Sequence, residues 1–120
     1  MQENYVITIY GIPNCDKVKK AKTWLDKQNV RYQFHNYKVL GCDQNLADNL
    51  LQHFSYNELI NKRGTTWRKL PENSKNSLDK LTARKLIQEE PSMIIRPIFE
   101  IDGEWILGFN EKLLTSKILK

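Results

Sequence analysis

The residue best suited to covalent chemistry is Cys15, set between the turn Gly11-Ile12-Pro13-Asn14 and a stretch of helical periodicity. A helix leaves its first N–H groups without internal partners, and its dipole adds partial positive charge at that end. Both favour a thiolate, the nucleophilic form of cysteine. An unperturbed thiol, with a pKa of about 8.5, is ionised only to a few per cent at pH 7. Lys17 and Lys19 add positive charge nearby, and Asp16 opposes them. A cysteine at such a turn also serves as a small apolar core residue, and residue type alone leaves both readings open. Three positions on stands Val18, so there is no C-x-x-C pair. A two-thiol cycle within this motif and a metal knuckle are both unsupported. Redox chemistry then needs an external thiol or Cys42. That residue lies in Gly41-Cys42-Asp43 and reads as an exposed bystander rather than a resolving thiol. His35 and His53 lack ligand spacing and read as structural or exposed, so no metal site is expected.

The elements around Cys15 follow from hydrophobic period. Tyr5-Val6-Ile7-Thr8-Ile9-Tyr10 is β-branched and aromatic and predicts a buried strand. Over residues 15–29, Val18, Ala21, Leu25 and Gln28 share one helical face, with Lys17, Lys19, Lys20, Lys22 and Lys27 mostly elsewhere. Residues 31–37 alternate around Tyr32 and Phe34 and predict a second strand, so the unit is βαβ with parallel strands. Asp43 is a cap signal for a helix carrying Leu46, Leu50, Leu51 and Phe54. A short helical piece over 56–61 should be broken by Gly64-Thr65-Thr66, and the chain again by Pro71. Leu78, Leu81, Leu86 and Ile87 predict two more short helices before Pro91. Pro97-Ile98-Phe99-Glu100-Ile101 and Glu104-Trp105-Ile106-Leu107, joined by Asp102-Gly103, predict a hairpin with a type I′ turn. Asn110 should cap a last helix with Leu113, Leu114 and Ile118 inward. The order βαβ, helices, ββα is that of an α/β chain with a mixed sheet and a helical insertion over 43–90.

Composition bounds the function. A chain of 120 residues, 40% hydrophobic, suits one domain with a real core. No apolar run nears the roughly 18 residues of a membrane span. Met1-Gln2-Glu3-Asn4 has no basic n-region, so no signal peptide is expected. A net charge of +5 suits anionic partners without demanding nucleic acid. Cys15 and Cys42 are too few for a disulfide scaffold. The expectation is a cytoplasmic monomer with free thiols.

Three separated stretches add a specific likeness. They are Gly11-Ile12-Pro13-Asn14-Cys15-Asp16-Lys17-Val18-Lys19-Lys20-Ala21, Asn61-Lys62-Arg63-Gly64-Thr65-Thr66-Trp67-Arg68-Lys69 and Ile95-Arg96-Pro97-Ile98. Together they resemble the arsenate reductase (ArsC) family, in particular its YffB-type branch, which also carries a similar L-G-F stretch. The resemblance runs from Tyr5 to Ile118. It implies one domain over 1–120: a thioredoxin-like (glutaredoxin-like) mixed sheet from 1–42 and 91–120, with the helical insertion between them. It also implies a cis Pro97 facing Cys15.

In arsenate reductases the cysteine thiolate attacks an arsenic oxyanion held by three arginines, and glutathione and glutaredoxin complete the reduction. Two of these arginine positions map onto Arg63 and Arg96; guanidinium groups bind oxyanions bidentately and favour a neighbouring thiolate. The third falls near Phe109, where there is no arginine. The resemblance therefore implies Cys15, Arg63 and Arg96 as catalytic residues. With the clamp incomplete, it implies glutathione as co-substrate, with no resident cofactor. Asn14 and Pro97 would line the glutathione site along Ile95-Arg96. The γ-glutamyl carboxylate would lie near Gly108, Phe109 and Asn110, where helix N–H groups accept an anion. Trp67 is read as an anchor of its loop, and Trp24 and Trp105 as half-buried packing residues. The implied function is a glutathione-dependent monothiol reductase, with glutathione or glutaredoxin as partner. Two alternatives stand beside it: an Spx-type regulator binding RNA polymerase, whose usual C-x-x-C switch is absent here, and a true arsenate reductase.

Overall fold

Alternation along β1 (Ile7–Gly11) sends Ile7 and Ile9 to one side of a sheet and Thr8 and Tyr10 to the other. The computed structural model describes residues 6–119, so Tyr5 of the expected strand and Met1 to Asn4 lie outside the described residues. α1 (Asp16–Lys27) crosses back to β2 (Gln33–Asn36), which pairs parallel to β1. β3 (Ile98–Ile101) pairs antiparallel to β1, and β4 (Glu104–Leu107) antiparallel to β3. The sheet is 4-stranded and mixed, in the order β2-β1-β3-β4.

The pairing register aligns Phe34, Ile9, Phe99 and Ile106 in one row across the four strands. Ala21 and Leu25 of α1 and Leu114 and Ile118 of the C-terminal helix (Glu111–Ile118) complete this core. Helix α1 buries Val18, Ala21 and Leu25 as its period requires. The hairpin turn holds Asp102 and Gly103 at φ 49° and 87°, the paired positive values of a type I′ turn.

Gly11 fixes how closely α1 approaches β1. A Cβ there would stand 2.7 Å from Cγ2 of Val18, a β-branched side chain with no exposure and one preferred helical rotamer. Gly11→Ala is therefore expected to cost about 1–3 kcal/mol, the range for overpacking a filled core. Urea unfolding measures it; an unchanged midpoint would show that α1 can shift freely.

The chain divides into two compact units. The one just described ends at Asn36 and resumes at Arg96; the other runs Tyr37–Ile95. The second is helical: α2 (Tyr37–Leu40), α3 (Gln44–His53), α4 (Tyr56–Leu59), α5 (Thr65–Arg68), α6 (Glu72–Asn76) and α7 (Lys80–Glu89), with a 3-10 turn at Pro91–Met93. The C-terminal helix of the first unit is α8. Asp43 caps α3, accepting from the Leu46 N–H at 2.9 Å. α3 packs on α7; Leu46, Ala47 and Leu50 of the one and Ala83 and Ile87 of the other are buried, and Arg84 Nε meets Asp48 Oδ1 at 2.7 Å. Leu59 and Asn61 bond the backbone of Ile95 and Met93, closing the unit.

Several expectations are corrected. The second strand is shorter than 31–37, because Tyr37 opens α2, a helix not foreseen. Gly64-Thr65-Thr66 is a helix start: Gly64 is the cap of α5. Leu81, one of the residues that signalled this helix, is 70% exposed; α7 starts at the capping box of Asp79 and Thr82 and buries Ala83 and Ile87. Leu113 is likewise exposed, and α8 buries Leu114 and Ile118.

Candidate functional site

Cys15 is the cap residue of α1, in extended conformation, and its carbonyl accepts the first helical bond from the Lys19 N–H at 2.9 Å. Its neutral Sγ makes no capping hydrogen bond of ordinary geometry. The sulfur is half-buried, and burial by itself pushes the thiol up. The N–H groups of Val18 and Lys17 and the Arg96 guanidinium face it and outweigh burial. The net result is a thiol held below its ordinary pKa. The strand–turn–helix sequence thus places a partly accessible sulfur where three donors favour its charged form.

The sheet brings Arg96 to this point. Tyr10, at the end of the β1–β3 register, pairs with Ile98, the residue after Pro97. The Arg96–Pro97 peptide is cis. The Pro97 carbonyl accepts from the Gly108 N–H at 2.8 Å, so Gly108 is joined to Pro97 by backbone. Gly108 has a φ of 84°, a left-handed value that favours glycine at the entry to α8. Asn110 caps α8, accepting from the Leu113 N–H at 3.0 Å. Phe109 is half-buried and meets the Trp24 ring edge-on, with centroids 6.4 Å apart. Asn14 is exposed in the turn before Cys15. Cys15 and Arg96 therefore meet, with Pro97 next to Arg96 in the chain and Gly108 joined to Pro97, while Phe109 and Asn110 continue toward α8.

Arg63 lies in the helical unit, exposed, with its N–H donated to Asn61 Oδ1 at 3.2 Å. Trp67, next to it in the same motif, is buried. Cys42 is not the exposed residue expected: it is 5% exposed, and burial first, then the Asp43 charge, push its thiol up to about 12. A resolving role is unsuited to it. His35 lies against Tyr10, the rings tilted at 38° with centroids 5.0 Å apart, and His53 Nδ1 is 2.8 Å from the Asn49 carbonyl oxygen. Among the described residues no group of side chains has metal-ligand geometry. The helix-start N–H groups expected to favour the thiolate are those of Lys17 and Val18.

The ArsC family model matches residues 10–115. A protein of Haemophilus influenzae is 50% identical over 107 residues, spanning 89% of this chain and 94% of its own. The solved YffB structure superposes with a TM-score of 0.90 at 38% identity, covering 94% of this chain and 99% of that one. The global transcriptional regulator Spx of Streptococcus mutans is 30% identical over 114 residues, 88% of this chain and 78% of Spx.

Proposed function

The chain belongs to the ArsC family, and from that premise we propose that it is a glutathione-dependent monothiol reductase with Cys15 as nucleophile. The observation that carries this reading is the Cys15 sulfur, held toward thiolate by the Val18 and Lys17 N–H groups and by Arg96 against the opposing effect of burial. A thiolate attacks one sulfur of a glutathione mixed disulfide and expels the other as a thiolate. Cys15 becomes joined to glutathione, and the substrate leaves reduced. A second glutathione thiolate then attacks that bond, releasing Cys15 as thiolate and glutathione disulfide. Electrons and protons balance over the two exchanges, and no second protein thiol is needed. Pro97, Gly108 and Asn14 would bound the tripeptide. Arg63 is carried by the family motif alone, and its part is read from how Arg63→Ala changes the exchange rate.

The test is intact mass after exposure to glutathione disulfide. One glutathione should add to the protein and none to Cys15→Ser. Equal modification of the variant would sink the assignment. Arsenate, supplied with glutathione and glutaredoxin, is expected to stay at the uncatalysed rate. Phe109, packed on Trp24, offers no cation where the family's third arginine would stand. Turnover of arsenate lost in Cys15→Ser would restore the arsenate reading. The likeness to Spx supports a second reading, a regulator docking on RNA polymerase. The absence of any Cys15 exchange with glutathione would favour it.

A further inference from the structure

A groove of about 310 Å³ is lined by α1 residues from Lys19 to Lys27 and by Phe109 and Glu111 at the entry to α8. Its apolar floor is the edge-on pair Trp24 and Phe109. Lys19, Lys20 and Lys27 of α1 line it too, as does Glu111 of α8. All of these residues belong to the sheet-containing unit.

Helical spacing arranges them. Lys20, Trp24 and Lys27 stand at i, i+4 and i+7, on one face, so a cation flanks the indole at each end. Lys20 and Lys27 are separated by about 10 Å along the axis, at a rise of about 1.5 Å per residue. Among the described residues none of the three lysines is held in an ion pair, whereas Lys22, on another face, is engaged over the Phe34 ring at 3.5 Å. The one other acid late in α1, Asp26, is engaged with Tyr32.

We propose that this groove is a docking site for an acidic protein segment that carries an aromatic residue between carboxylates. An extended chain advances about 3.3 Å per residue, so acids three or four positions apart reach Lys20 and Lys27 while the residue between them covers Trp24. Charge supplies attraction and register, and the aromatic contact supplies the desolvated anchor. The lysines are strung along the helix rather than converging on one point. That suits distributed carboxylates better than a single phosphate, which takes converging N–H donors or a guanidinium fork. Glu111 repels acid beside it and so favours one direction of approach. Nothing in this inference depends on Cys15, and it stands or falls separately from the proposed exchange chemistry.

The experiment is fluorescence anisotropy with a dye-labelled, end-capped peptide of one phenylalanine between pairs of glutamates. Two control peptides have glycine for phenylalanine and glutamine for every glutamate. The parent peptide should bind in a salt-sensitive manner, and each control at least about fivefold more weakly. Lys20→Glu/Lys27→Glu should weaken the parent at least about tenfold. Lys27 favours the α1 C-terminus, so the milder Lys20→Gln/Lys27→Gln is measured too, with an expected loss of at least about threefold and an unchanged thermal midpoint. Binding of the glycine peptide as tight as the parent would mean diffuse attraction to a +5 protein and would overturn the proposal. Unchanged binding by both lysine variants, or full displacement by ATP at matched charge, would overturn it as well.

Discussion

A brief pulse of iodoacetamide at pH 7 should label Cys15 in the folded protein and leave Cys42 intact, with rates differing by at least about 100-fold. Only the thiolate reacts, and only if the reagent reaches it. Cys42 fails on both counts: it is 5% exposed, and its thiol is pushed up to about 12. At such a pKa about one thiol in a hundred thousand is ionised at pH 7. Cys15 is half-exposed and shifted the other way, so more than the few per cent of an ordinary thiol is available. Peptide mapping by mass spectrometry reads the two sites separately. Comparable labelling of both would mean either that the helical unit opens readily or that Cys15 is not activated. The same contrast has a stability consequence. Cys42 keeps its proton in the fold and loses it near the ordinary pKa when unfolded. Its contribution is therefore complete below about pH 8.5 and is lost as pH rises from there toward about 12. Cys42→Ala should flatten the alkaline decline of stability.

Where sequence and structure agree, a local signal had no competitor. The β1 run, the cap signal at Asn110 and the Asp102-Gly103 turn each specify a backbone shape within a few residues, and tertiary packing reinforces them. Cys15 was legible as a site because a strand, a turn and a helix fall in order around it. Legibility fails where a large apolar residue falls beside the buried stripe of its helix rather than on it. Leu81 and Leu113 are big and apolar, yet both sit on outward positions while Ala83 and Leu114 take the inward ones. Gly64 is a breaker by composition and a cap by context, the residue before a helical turn that buries Trp67. Burial of Cys42 was unreadable for a related reason. The turn Gly41-Cys42-Asp43 looks exposed, and burial of its thiol comes from tertiary packing that residue type does not reveal. Arg96 was found through a motif, while the N–H donors that share its task belong to positions of any residue type.

The share that Arg96 has in this arrangement is open to direct measurement. Arg96→Ala should move the midpoint of the pH–rate profile for reaction with glutathione disulfide upward, and should slow that reaction at pH 7 several-fold to about tenfold. The size follows from a charge-assisted contact worth about 1.5–3 kcal/mol, reduced by solvent screening because the sulfur is only partly buried. The sign follows from charge. Arg96 favours the thiolate over the thiol, so without it the thiol keeps its proton to higher pH. Below the native midpoint the variant must therefore be slower. Above both midpoints the thiolate is fully formed in each protein. There the variant should match or exceed the parent, because a more basic thiolate is the better nucleophile. Arg96→Lys should recover part of the shift, since it restores the charge without the planar fork. A merely structural role would slow the variant equally at every pH. An unmoved midpoint would leave the Val18 and Lys17 N–H groups at the start of α1 as what holds the thiolate, and would remove Arg96 from the proposed machinery.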